Sequence, residues 1–270
     1  MDAFRERLDA RYAALNSMVC VGLDPAAEQM PSCVNTRPRP LEYFIEGIIR
    51  ETAPYALVYK PNLAFFEALG AEGREVLSRL RSMVPADIPV ILDAKSSDIG
   101  NTASRYAQAF FEELQVDAVT LNPYMGRDAV VPFLEYKERH AFVLCMTSNP
   151  GAADFEFSLM EDGRPLYMKV ADAIHAWNKE YGNCGAVIGA TQGSRLLDVR
   201  SAMPEEYFLV PGIGAQGGDL EAVLQALMIP GKPLLINSSR GILYASGGED
   251  FAMAAGEAAS ALAGAIRSAV

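Results

Sequence analysis

PVILDAK (89–95) is an apolar run that turns charged only at its C-terminal end, where Asp93 and Lys95 interrupt it. A near-continuous apolar stretch of this length is the pattern of a parallel strand buried on both faces. The same shape recurs along the chain. MVCVGLD (18–24) ends on Asp24, ALVYKPN (56–62) carries Lys60 near its end, and PLLINSSR (233–240) ends on Arg240. AVTLNPY (118–124), AFVLCMTS (141–148), GAVIGA (185–190) and YFLVPGIG (207–214) bring the number of such segments to eight. Between them lie helical patterns, among them LEYFIEGIIRETA, AFFEALGAEGREVLSRLRSMV, TASRYAQAFFEEL and PLYMKVADAIHAWNKEY. Successive strand ends are roughly 31 residues apart, which suits a βα repeat. Eight such units predict an α/β fold, a TIM (βα)8 barrel. An open doubly wound sheet is the alternative, and it would leave eight strands without closure. With no Ser/Gly linker and no shift of composition, the expectation is a single domain over residues 1–270.

Composition narrows the function classes. Half of the 270 residues are hydrophobic and 21% are charged, enough apolar material for a large core. The net charge of −11 makes bulk attraction to nucleic-acid phosphates a poor prospect, so any anion must be held by a few placed residues. Cys20, Cys33, Cys145 and Cys184 form no CxxC pair, and with only two histidines no metal cluster is indicated. MDAFRERLDARYAAL reads as an amphipathic helix rather than a targeting segment, and the Ala-rich C-terminus as a packed terminal helix. No apolar run approaches the roughly 20 residues needed to span a bilayer. The expectation is a soluble cytoplasmic protein with reduced thiols, binding neither nucleic acid nor membrane.

On a barrel, Asp24, Lys60, Asp93, Lys95 and Arg240 all fall at strand C-termini and would converge on one rim. Burying such groups unpaired is costly, so they must compensate one another. An ion-pair ring that only plugs the barrel mouth is the plain alternative to a catalytic cluster. The densest element is DAKSSDIGNT (93–102). Asp93 and Lys95 are two apart, which on a regular strand puts both side chains on one side. Asp98 lies past the strand end, with Gly100 loosening the turn. Two carboxylates flanking an ammonium favour its charged form, which suits a proton donor better than a Schiff-base nucleophile. Lys60 adds a second ammonium from the neighbouring strand, and such a chain of charges can stabilise negative charge developing on a substrate.

The second element is PGIGAQGGDL (211–220), followed by INSSRGI (236–242) on the eighth strand. Glycines let backbone N–H groups approach a phosphate, and a helix opening at Asp219 or Leu220 adds its positive end. Arg240 could clamp the phosphate and Gln216 donate to it, with Pro211 and Gly241 beside them; a tight strand-to-helix turn would need the same glycines. Ser148 and Asn149, at the end of strand five, suit a heterocycle or an ordinary turn. His175 reads as structural, and His140 as solvated on the face opposite the site.

VGLDP, VYKPNLAFFE, DAKSSDIGNTA, TLNPYMG, TSNPGA, VPGIGAQGGD and NSSRGI, in this order, resemble the orotidine 5′-phosphate decarboxylase family. The likeness covers essentially the whole chain and is closest to the longer bacterial subgroup called type 2. One departure is Ser96-Ser97, where that subgroup has Arg-Gly; the Asp-x-Lys-x-x-Asp frame is intact. The resemblance implies a barrel working as a homodimer with shared sites, converting orotidine 5′-monophosphate (OMP) to UMP with no metal and no organic cofactor. It implies that Lys95 delivers the proton to C6, with Lys60, Asp93 and Asp98 completing the charged network. Asp98 and Thr102 would reach into the partner's site. Asp24 would bind ribose hydroxyls, Ser148 the pyrimidine edge, and Gln216 and Arg240 the phosphate.

Two other readings compete. A Mg²⁺-dependent sugar-phosphate decarboxylase or aldolase-type synthase of the same suprafamily would need a carboxylate on the second strand, where this chain has Lys60. A catalytically silent barrel that binds nucleotides would gain nothing from four clustered charges.

Overall fold

Each apolar run becomes a strand, and the strands close on themselves. The computed structural model describes residues 3–213 and 219–270. Among these, the strands are β1 (Val19–Leu23), β2 (Ala56–Pro61), β3 (Ile91–Ser96), β4 (Ala118–Leu121), β5 (His140–Met146), β6 (Cys184–Ile188), β7 (Phe208–Val210) and β8 (Leu235–Ser238). They pair in parallel in the order β2-β1-β8-β7-β6-β5-β4-β3. Single parallel bridges from Tyr59 to Val90 and from Asn62 to Asp93 join the two ends of that order. The result is a nearly closed TIM barrel.

The helices, in chain order, are α1 (Ala3–Leu15), α2 (Pro40–Thr52), α3 (Leu63–Ala68), α4 (Gly70–Met83), α5 (Gly100–Gln108), α6 (Val131–Leu134), α7 (Leu166–Tyr181), α8 (Arg195–Ala202), α9 (Leu220–Leu227), α10 (Arg240–Leu243) and α11 (Phe251–Ala269). Alternation along the strands separates two apolar layers. On β1, Val19, Val21 and Leu23 pack outward against the helices, whereas Cys20 packs inward with Leu57, Ile91 and Phe142. Phe4 and Leu8 of α1 join that inner cluster and are fully buried.

Two details depart from the sequence-based expectation. The helical pattern over 64–84 is divided between α3 and α4, because Gly70 takes φ +66° and turns the chain. Gly73 then lets α4 approach closely, since a Cβ there would collide with the carbonyl oxygen of Phe66. His140 is not solvated but 1% exposed. Its ring stacks on Phe4 at 5.1 Å and lies 4.7 Å from Phe142, because α1 folds back across the barrel floor and covers it.

The same end of the barrel carries a charged anchor. Asp117, just before β4, is 3% exposed and accepts from the Val90 amide at 2.8 Å. It pairs with Arg7 of α1, with Arg139 at 3.2 Å and with Arg81 at 3.6 Å. Removing the carboxylate takes the counter-charge from three guanidinium groups, which keep only backbone carbonyls, and the acceptor from a buried backbone donor. Asp117→Ala should therefore lose about 3 kcal/mol, the scale for breaking a buried pair, and lower Tm by roughly 6–12 °C. An unchanged thermal midpoint would show that the anchor contributes nothing.

Candidate active site

At the opposite end, β2 and β3 lie side by side and bring three charges into contact. Lys60 Nζ donates to Asp93 Oδ2 at 2.8 Å, and Lys95 Nζ donates to Asp93 Oδ1 at 2.5 Å. The Lys60 side chain is 4% exposed, Asp93 10% and Lys95 48%. Asp93 thus bridges one buried ammonium and one that faces the open rim. Burial would by itself raise the Asp93 carboxyl, but the two ammonium groups and their hydrogen bonds hold it well below the usual carboxylate range. Burial likewise opposes the charge on Lys60, and the nearby Asp93 and Asp24 outweigh it, leaving the ammonium above the ordinary lysine value. Beneath them the Cys20 thiol is pushed up to about 12, chiefly by burial, so it stays neutral and adds no charge to the cluster.

Lys95 reaches this position by a route that strand alternation does not describe. Its φ is +50°, in the left-handed region. For a residue with a Cβ that conformation costs about 1–2 kcal/mol. The β3–β4 register shifts at the same place. Leu92 pairs with Val119 and Ser96 with Leu121, so four steps on β3 match two on β4. This bulge aims Lys95 back toward Asp93. Thr120, 1% exposed in the middle of β4, spans it: the Lys95 amide donates to Thr120 Oγ1 at 3.0 Å, and Thr120 Oγ1 donates to Asp93 Oδ1 at 2.9 Å. Thr120 was absent from the sequence-based candidates. The signal available was a hydroxyl inside the otherwise apolar AVTL.

The remaining described candidates all lie past the C-terminal ends of their strands. Asp98 sits past β3, where its Oδ1 accepts from the Ile99 amide at 2.8 Å. Among the described residues it pairs with no cation. Thr102, on the first turn of α5, is exposed, and Ile99 and Tyr106 beside it are 51% and 41% exposed. At spacings of three and four residues they share one outward face. Asp24 follows β1; its backbone oxygen accepts from Tyr244 Oη at 3.1 Å. Asp24 Oδ1 is buried with no hydrogen-bond partner among the described residues.

Ser148 follows β5, packed so tightly on Gly189 that a Cβ there would lie 2.6 Å from the Ser148 amide nitrogen. Beside this segment a cavity of about 890 Å³ opens toward α7, lined by Asn122, Leu144, Thr147, Glu156, Tyr167 and Trp177 among others. It flanks the Ser148 loop rather than covering Lys95.

On the β7–β8 side, Pro211 leads into Gly212 at φ +97°, a conformation glycine adopts freely. Gln216 lies outside the described residues. Asp219 caps α9, its carboxylate accepting from the Ala222 amide at 3.2 Å. Part of that helix end is therefore already occupied by a negative group. Arg240 and Gly241 open α10, both exposed, and among the described residues the Arg240 guanidinium forms no ion pair. Gly22 of β1 makes room for this segment, because a Cβ there would collide with Ser239 Oγ. Among the described residues no three His, Cys, Asp or Glu side chains are grouped to hold a metal ion.

Residues 17–254 match the model of the orotidine 5′-phosphate decarboxylase / HUMPS family. A protein from Roseiflexus castenholzii named orotidine 5′-phosphate decarboxylase is 47% identical over 269 residues, covering 99% of this chain and 98% of the relative. One of the same name from Herpetosiphon aurantiacus is 44% identical, with 96% of each chain covered. Among solved structures, the Leishmania donovani OMP decarboxylase superposes with a TM-score of 0.84 at 41% identity, over 99% of this chain and 100% of that one. The Leishmania donovani UMP synthase gives 0.85 at 42% identity, over 99% of this chain and 57% of that longer one.

Proposed function

The chain belongs to the orotidine 5′-phosphate decarboxylase family, and from that premise we propose that Lys95 is the acid that replaces the departing carboxylate. The enzyme is a carboxy-lyase that converts OMP to UMP, the last step of de novo pyrimidine synthesis. The bond from C6 to the carboxylate carbon breaks, leaving its electron pair on C6 while carbon dioxide departs. Lys95 Nζ gives a proton to C6, and the neutral amine then recovers one from solvent. A carbanion of this kind is very unstable in water, so fixed ammonium charge at the rim is the main lever the site offers. The observation that carries the reading is the Lys60–Asp93–Lys95 chain, in which one ammonium is locked beneath Asp93 and the other faces outward.

The other roles are those that membership of the family implies for these residues. Asp24 binds ribose hydroxyls, which its unpartnered Oδ1 favours. Ser148 meets the pyrimidine edge. Gln216 and Arg240, with Pro211 and Gly241, hold the phosphate. Asp98 and Thr102 serve the site of a second copy in a homodimer, a reading supported by the exposed Ile99 and Tyr106 beside them. The enzyme acts in the cytoplasm; among the described residues no helix is long and apolar enough to cross a membrane.

The test is the loss of OMP absorbance, with UMP as product, with and without a chelator. Turnover indifferent to chelation is expected. OMP turnover abolished by the chelator would contradict metal-free catalysis, and UMP binding without turnover would favour the silent barrel. Arg240→Ala tests the phosphate role. Remote binding energy is used at the transition state, so kcat/KM for OMP should fall by roughly two orders of magnitude or more. The defect should shrink on orotidine, which lacks the phosphate. An equal defect on both substrates would remove Arg240 from the phosphate site.

A further inference from the structure

We propose that Thr120 is a positioning residue for the proton donor, acting through the Lys95 backbone and the Asp93 carboxylate together; this rests on the role assigned to Lys95 above. The bulge in β3 takes Lys95 out of register with β4, so its amide lacks the ladder acceptor a regular strand would supply. The Thr120 hydroxyl takes that place at 3.0 Å. The directions of the two bonds follow from chemistry. A backbone N–H only donates and an ionised carboxylate only accepts, so the hydroxyl must accept from Lys95 and donate to Asp93. Each bond polarises the next along such a chain.

The geometry links backbone to charge. Asp93 Oδ1 receives both the Thr120 hydroxyl at 2.9 Å and the Lys95 ammonium at 2.5 Å, while Oδ2 is taken by Lys60 at 2.8 Å. One hydroxyl therefore fixes where Lys95 leaves the strand and where its ammonium returns. Apart from the Lys95 ammonium itself, nothing else among the described residues ties the left-handed turn to the carboxylate. Valine would fill the same volume in the strand, so filling the barrel alone does not call for a hydroxyl here. A proton donor displaced by a fraction of an ångström loses rate rather than substrate affinity.

The experiment compares wild type, Thr120→Val and Thr120→Ser in the full chain with OMP. For the valine variant kcat should fall roughly 10- to 100-fold, while KM and the Kd for UMP stay within about twofold. Serine keeps the hydroxyl and should restore kcat to within a few-fold of wild type. Valine turning over at the wild-type rate, or serine as impaired as valine, would reduce Thr120 to a space-filling residue and overturn the inference. If valine fails to fold, Thr120→Ala against Thr120→Ser makes the same comparison. A wild type that does not convert OMP would instead defeat the functional reading beneath it.

Discussion

Lys95→Ala should keep the barrel and bind UMP while kcat falls by about four orders of magnitude or more. The Lys95 side chain is 48% exposed at the rim, so truncating it opens no core cavity. Its loss removes the ammonium that faces the open site. Lys60 cannot replace it, because that side chain is 4% exposed and locked to Asp93 Oδ2 at 2.8 Å. Asp93 would be left with Lys60 and Thr120, still mostly compensated, so the fold survives. UMP has already lost its carboxylate, and its phosphate, ribose and ring are assigned to other residues. Retention of more than a few per cent of kcat would place the proton donor elsewhere. Failure to bind UMP would recast Lys95 as a binding residue.

The barrel was legible because its strands are buried on both faces. Runs such as PVILDAK and MVCVGLD carry no polar residue until they leave the core, so their ends mark the rim as well as the strand. The pairing of Lys60 with Asp93 follows from the neighbouring position of their strands and needs no further information.

For Lys95 the local pattern is an incomplete guide. Strand alternation places it beside Asp93, yet a bulge and a left-handed backbone bring them together. Neither can be read from DAKSS, which contains no glycine to announce a positive φ. Thr120 carries little local signal, because its partners lie on another strand and a threonine in a strand is ordinary by composition. The burial of His140 is hidden from local sequence, because its cover, Phe4, lies 136 positions away and reaches it only when α1 crosses the floor. All three depend on tertiary placement rather than local pattern.

A network completed across two chains makes a demand that no single-chain site makes. Asp98 lies beyond the end of β3, bonded to its own Ile99 amide and, among the described residues, to no cation. On the shared-site reading, Lys95→Ala and Asp98→Ala are each inactive as homodimers, for lesions in different halves of one site. Mixing them under conditions that exchange subunits forms hybrids. In a hybrid, the site on the Asp98→Ala chain keeps its own Lys95 and borrows an intact Asp98 from its partner; the other site lacks both. Random pairing makes roughly half the dimers hybrid with one good site each, so activity should return to about a quarter of wild type. If Asp98 acts within its own chain, every site keeps one lesion. A mixture that stays inactive, with subunit exchange verified by mass spectrometry, would contradict a site built from two chains.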